Sequence, residues 1–166
     1  MDSREQAALD LPLRELGPLR CHPEMNEERN KAVVVRFDEL GNGTGDPDTL
    51  DELCTPDMVN HALAASAAPG LEGTRNFLRK AQRSKHPARW VESHVVASGD
   101  YVVQFGVREQ EWPGGPFRGY DLPHGTFTRE TAFAYRLENG RIAERWAIRD
   151  DLAMVQQLGG RPITPK

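Results

Sequence analysis

Thr126-Phe-Thr-Arg-Glu-Thr-Ala-Phe-Ala-Tyr-Arg-Leu-Glu-Asn-Gly-Arg-Ile-Ala-Glu-Arg-Trp-Ala-Ile-Arg149 is the stretch whose reading decides the fold. It divides into two β-like runs, Thr126 to Leu137 and Arg141 to Arg149, around Glu138-Asn139-Gly140. The Asn-Gly pair tolerates the positive φ angles of a tight hairpin, so the two runs pair antiparallel. With a period of two, Thr128, Glu130, Ala132 and Ala134 share one face of the first run, and Thr131, Phe133, Tyr135 and Leu137 share the other. In the second run the same period puts Ile142, Trp146, Ile148 and Asp150 on one face, so a carboxylate ends an apolar row.

Working outward toward the N-terminus, Ala88 to Ser98 and Tyr101 to Glu111 are two more strands, joined by the short turn Ser98-Gly99-Asp100. The Pro- and Gly-rich segment from Trp112 to Gly125 is a long connection, of the kind that often forms a functional rim. Before the strands come a helix from Asn26 to Gly41 with the stripe Ala32, Val33, Phe37 and Leu40, a short helix from Pro47 to Cys54, and a helix from Gly70 to Ser84. Met58 to His61 is a brief extended run, and Asp150 to Gly159 a short closing helix. Helices followed by a strand meander specify an α+β domain: a strongly curved antiparallel sheet of four or more strands with about three helices on its concave face, enclosing an apolar pocket. The domain is expected over residues 25–159, with an extension at 1–24 and a tail at 160–166.

A chain of 166 residues has the length of one domain, and no run approaches the ~20 apolar residues of a membrane-spanning helix. Met1 to Arg20 is charged and lacks the features of a secretory signal, which makes the cytoplasm the expected location. A net charge of -4 with mixed signs argues against nucleic acid as a partner. The cluster Arg75, Arg79, Lys80, Arg83, Lys85 and Arg89 reads as a solvated helix face. Cys21 and Cys54 fit neither a disulfide framework nor a metal site, and the five histidines show no ligand spacing. No phosphate-binding or dinucleotide motif occurs, so neither a metal nor an organic cofactor is expected.

The candidate chemistry is therefore acid/base. Asp150 on an apolar wall would be poorly solvated and able to exchange protons near neutral pH, although Asp at a strand-helix junction serves equally as an N-cap. His61, after Asn60, is a possible donor or proton shuttle. Gln104 and Arg108 share a face of their strand and are either substrate ligands or surface groups, according to which face is inner. Glu130 is a second carboxylate, and Tyr135, Trp146 and Ile148 are candidate walls of a substrate site.

The ordered set Asp57-Met58-Val59-Asn60-His61, Gly70-Leu71-Glu72-Gly73, Ser98-Gly99-Asp100, Gly115-Pro116-Phe117-Arg118-Gly119, Glu138-Asn139-Gly140-Arg141-Ile142 to Trp146, Asp150 and Gln157-Leu158-Gly159 resembles the SnoaL-like polyketide cyclases, of the nuclear-transport-factor-2-like superfamily. The resemblance implies a homodimer packed through the sheet and a cofactor-free intramolecular aldol cyclisation, or a related isomerisation, of a hydrophobic polyketide-like substrate. It assigns the acid/base role to Asp150 and places His61 near the pocket. A non-catalytic small-molecule binder of the same fold is the alternative, and a scaffold that uses its sheet face comes third.

Overall fold

The computed structural model describes residues 23–83 and 87–163. Helix α1 (Pro23–Gly41) is followed by a 3-10 turn (Pro47–Thr49), helix α2 (Leu50–Leu53), strand β1 (Cys54–Asn60) and helix α3 (Gly70–Gln82). Then come β2 (Arg89–Ser98), β3 (Tyr101–Trp112), the short hairpin β4 (Gly115–Phe117) and β5 (Tyr120–Leu122), β6 (Gly125–Glu138), β7 (Arg141–Arg149), α4 (Asp151–Gln157) and β8 (Arg161–Pro162). The main sheet has the order β1-β7-β6-β3-β2, and a small sheet has the order β4-β5-β8. The fold is the expected α+β arrangement, an open, mixed sheet in which β1 runs parallel to β7 and the other neighbours are antiparallel.

Three findings differ from the sequence reading. The connection from Trp112 to Gly125 is itself a hairpin, and β8 pairs with it within the span expected to be a tail. Helix α1 starts at Pro23, and the rest of the expected extension lies outside the described residues, as do Lys85 and His86. The run around Met58 is an edge strand of the main sheet and runs parallel to β7, so the sheet is mixed where an antiparallel one was expected.

The hairpin at Asn139 (φ 52) and Gly140 (φ 74) has the positive φ pair that its sequence demands. Curvature is built in elsewhere: Gly106 in β3 has φ 148, and a Cβ there would sit 2.2 Å from the Glu92 carbonyl oxygen. The register of β2 against β3 shifts at that level, between Trp90 and Glu92. A bulge facing a glycine lets two strands approach and bend together.

The core lies between the sheet's concave face and α1, α2 and α3, and holds Val34, Phe37, Leu50, Met58, Leu78, Tyr135 and Ile142. Each such side chain contributes roughly 1.5–3 kcal/mol by leaving water. Arg75 reaches Asp51 at 2.8 Å and Arg79 reaches Asp48 at 2.9 Å, so part of the basic face of α3 ties that helix to the α2 region. A second cluster of Leu122, Phe127, Met154, Val155 and Leu158 fastens α4 to the small sheet, with Trp112 and Phe117 packed against it.

A cationic interior cavity and an outer groove

A bulge decides which side chains of β7 enter the molecule. Leu137 pairs with Ile142, but Arg136 pairs with Glu144, so Ala143 is an extra residue and the alternation changes parity there. Ile142 is in the core, after which Arg145, Ala147 and Arg149 face inward while Glu144, Trp146 and Ile148 face outward. The expected row of Trp146, Ile148 and Asp150 is therefore corrected: it lies on the convex side, where Ile148 is 72% exposed. Asp150 ends this row as the N-cap of α4, its Oδ1 accepting from the Ala153 N–H at 2.9 Å.

His61 and Glu130 belong to the same outer side. The His61 ring stacks on Trp146 (5.0 Å, 9°), and its Nε2 lies 3.1 Å from Glu144 Oε2. Hydrogen bonds from His61 and Arg136 hold the Glu144 carboxyl below its ordinary value, and Glu138 and Glu144 together push the Arg136 guanidinium up. Glu130, Ile148 and Asp150, with Glu92, His94 and Phe105, line an open groove of about 610 Å³.

The larger cavity, about 660 Å³, is interior, between the concave sheet face, α1, α3 and the loop after β1. Its walls include Phe37, Leu63, Leu78, Trp112, Phe117 and Phe133, together with Asn60, Arg108 and Tyr135 from the sequence candidates. Gln104 is on the inner face and buried, and donates to Ser93 Oγ at 3.2 Å outside the cavity lining. The structure thus brings Asn60, Arg108 and Tyr135 together and separates them from Asp150, His61, Glu130, Trp146 and Ile148.

Sequence reasoning missed Asp38, Arg129, Arg145 and Arg149, all of which line this cavity. Arg129 was detectable, because it sits two residues before Thr131 on the face that also carries Phe133 and Tyr135. Four guanidinium groups therefore enter one cavity from three adjacent strands, with Arg108 directly opposite Arg129 and Tyr135 directly opposite Arg145. Opposed like charges repel, and taking an ion out of water costs several kcal/mol.

Two of the four are ion-paired. Arg108 meets Asp38 at 3.4 Å, hydrogen-bonds Asn42, and lies over Trp90 (4.9 Å) and Phe133 (5.1 Å). Asp38 also accepts from Trp90 Nε1 at 2.6 Å and from Asn42 at 2.9 Å. Arg129 pairs with Asp151, which also holds Arg118 of the small hairpin at 2.8 Å. Arg145 is 8% exposed, and its hydrogen-bond partner is the neutral Asn60 oxygen at 3.3 Å. It lies over the Phe133 ring at 4.6 Å, an interaction worth at most about 2 kcal/mol and so smaller than the desolvation it offsets. Among the described residues Arg149 has no ion pair.

Burial pushes the Arg108 and Arg149 guanidinium groups down from their ordinary value, and burial together with Arg149 pushes Arg129 down to about 10. The Tyr135 hydroxyl is pushed up by burial and drawn back by Arg145 beside it, and it is buried without a hydrogen bond of good geometry. The Nε atoms of Arg108, Arg129 and Arg145 and the indole nitrogen of Trp112 are likewise buried without partners. Buried polar groups are normally satisfied, so this concentration around one cavity marks a site shaped for something polar. Among the described residues no cluster of acids, histidines and cysteines has the makings of a metal site, and no helix is long and apolar enough to cross a membrane.

The family model described as SnoaL-like polyketide cyclase matches residues 31–158. IdmH of Streptomyces antibioticus, a provisionally assigned polyketide cyclase, is 28% identical, with a TM-score of 0.58 over 78% of this chain and 98% of that one. A SnoaL-like polyketide cyclase of Agrobacterium tumefaciens is 19% identical, with a TM-score of 0.60 over 79% of this chain and 98% of that one. An NTF2-like protein of Burkholderia xenovorans is 18% identical, with a TM-score of 0.57 over 80% and 97%. The last two likenesses show the shared fold. Comparison with curated protein sequences finds no match.

Proposed function

Since the chain belongs to the SnoaL-like polyketide cyclase family, we propose that it binds a polyketide-like small molecule in the interior cavity and cyclises or isomerises it by acid/base chemistry. The observation that carries this reading is the hydroxyl of Tyr135, fully buried with the Arg145 guanidinium beside it, on a residue that lines the cavity together with the carboxylate of Asp38.

Closing a ring by aldol addition requires a base for the proton next to a carbonyl, stabilisation of the resulting enolate, and a proton for the acceptor oxygen. Asp38 is the carboxylate among the described cavity-lining residues and takes the base role. Tyr135 donates to the oxygen on which negative charge develops, and the Arg145 guanidinium stabilises that charge at low dielectric. When the enolate carbon attacks the second carbonyl, the new alkoxide takes the Tyr135 proton, and the proton held by Asp38 restores the phenol through the bound molecule or water. The reaction runs on protonation state alone and calls for no cofactor.

Asp150 and His61, to which the family resemblance gave these roles, face the outer side, so in this reading they act outside the reaction site. We infer further that the protein works in the cytoplasm as a homodimer, with the exposed outer sheet face of Tyr101, Phe105 and Ile148 covered by a second copy.

A non-catalytic binder of the same fold is the second reading, and it has its own support: Asp38 already accepts from Trp90 and Asn42 and faces Arg108. Steady-state assay of wild type and Tyr135→Phe on an aromatic poly-β-ketone separates the two. Catalysis predicts a fall in kcat of roughly 10²- to 10³-fold with little change in KM. Equal turnover in the variant refutes the role of Tyr135, and ligand binding with no turnover by wild type establishes the binder.

A further inference from the structure

We propose that the molecule bound in the interior cavity carries an oxyanion, a carboxylate or phosphate, on a planar aromatic body, with Arg145 and Arg149 as its counter-charges. The proposal rests on reading that cavity as the substrate site, and names the class of substrate it takes.

Charge is the first argument. Four guanidinium groups line the cavity, while the acids paired with them are two, Asp38 with Arg108 and Asp151 with Arg129. Arg145 and Arg149 are left without an ion pair among the described residues, and Arg145 is more than nine-tenths buried with its Nε unpartnered. Arg149 adds to the positive charge felt by Arg108 and Arg129, and the charge it feels in return from Asp151 is shared with Arg129 and Arg118, which Asp151 already pairs. A cavity that holds four guanidinium groups against two paired carboxylates has charge left over for an anion.

Shape and donor geometry are the second argument. Arg145 and Arg149 stand two residues to either side of Ala147 on the inner face of β7, and both line the cavity. Aromatic side chains, Phe37, Trp112, Phe117 and Phe133, line the same cavity, and a flat body is the shape that such walls take. A guanidinium fork matches the two oxygens of a carboxylate or phosphate in a way that no neutral carbonyl can. An anion held there would also lie against the Tyr135 end of the cavity, since Tyr135 is the register partner of Arg145.

The test is equilibrium binding by calorimetry, with three probes of one shape: 2-naphthoate, 2-naphthyl phosphate and 2-naphthamide. The proposal expects one or both anions to bind wild type at least about tenfold more tightly than the amide, and the tighter of the two identifies the oxyanion. Arg145→Gln and Arg149→Gln each remove most of the preference, and Arg145→Gln raises the melting temperature of the ligand-free protein, because an unpaired buried charge is gone. Arg149→Lys, which keeps the charge but loses the fork, retains a preference between those of wild type and Arg149→Gln. Amide and anions binding equally overturns the anion while leaving the cavity as the binding site. Failure of all three to bind overturns the proposal as well. The wild-type comparison stands by itself if a variant does not fold, and none of these measurements depends on whether Tyr135→Phe changes turnover.

Discussion

Asp38→Asn isolates the charge that keeps Arg108 inside the molecule. Asp38 and Arg108 are 6% and 5% exposed and 3.4 Å apart, so the pair is screened little by solvent. The amide preserves the shape of Asp38 and one acceptor for Trp90 or Arg108, but it removes the counter-charge while Arg129 remains opposite Arg108 in the register. Leaving one partner of a buried pair unmatched costs roughly 3–5 kcal/mol. Asn42 and the two aromatic rings continue to support the guanidinium, which puts the expected cost at the lower end, about 3 kcal/mol. For a domain of this size that is a fall in melting temperature of about 6–12 °C. Arg108→Gln should cost less, because Asp38 keeps its bonds from Trp90 and Asn42. The double variant should recover about 1–2 kcal/mol of the summed losses, as contacting charges are not additive. Urea and thermal unfolding followed by circular dichroism measure all four proteins. A melting temperature of Asp38→Asn within about 2 °C of wild type, or strict additivity in the double variant, refutes the pairing argument.

Asp150→Asn is expected to leave both stability and turnover close to wild type, and Asp150→Ala to cost about 1 kcal/mol, because Asn replaces Asp as a cap and Ala does not; a turnover loss of ~100-fold in the Asn variant would return the acid/base role to Asp150. Cys54 is buried, and desolvation pushes its thiol up to about 12 from an ordinary 9.0. The thiol should resist alkylation at pH 8 until the protein unfolds, as peptide mass mapping can show. The raised folded value means that its contribution to stability is complete below about pH 9 and is lost as pH rises toward 12, so alkaline unfolding should ease in Cys54→Ala relative to its own neutral-pH stability. Light scattering at micromolar concentration should give a dimer mass, and Phe105→Asp with Ile148→Asp should give a monomer that keeps its far-ultraviolet spectrum; a monomeric wild type refutes the sheet-face assembly.

Much of the architecture was legible because it is local. The Asn139-Gly140 turn and the alternation along β3 and β6 are consequences of backbone preference within a few residues and are found where the sequence puts them, whereas the inner stripe of α1 keeps Phe37 and Leu40 but takes Val34 in place of the exposed Ala32. The inner face of β3 was left open by its own alternation. Gln104 and Arg108 turn inward because β6 beside them buries Phe133 and Tyr135 on that same side of the sheet.

The site was less legible. Its orientation depends on one extra residue in β7, Ala143, whose presence is visible only against the pairing of Leu137 with Ile142 and of Arg136 with Glu144. A period of two read along β7 alone places Asp150 inside and Arg145 outside, and the bulge exchanges them. A buried arginine likewise has no sequence signature of its own, since what makes it tolerable is an acid far away along the chain: Asp38 lies 70 residues from Arg108. The sequence by itself determined the main helices and strands, their order and the family, because these follow from short-range preferences and ordered motifs, while the small sheet of β4, β5 and β8 was not read from it. Tertiary structure decided which face of each strand is interior, and with it that the cavity holds four guanidinium groups, because burial and charge pairing are properties of contacts that close only when the sheet curves.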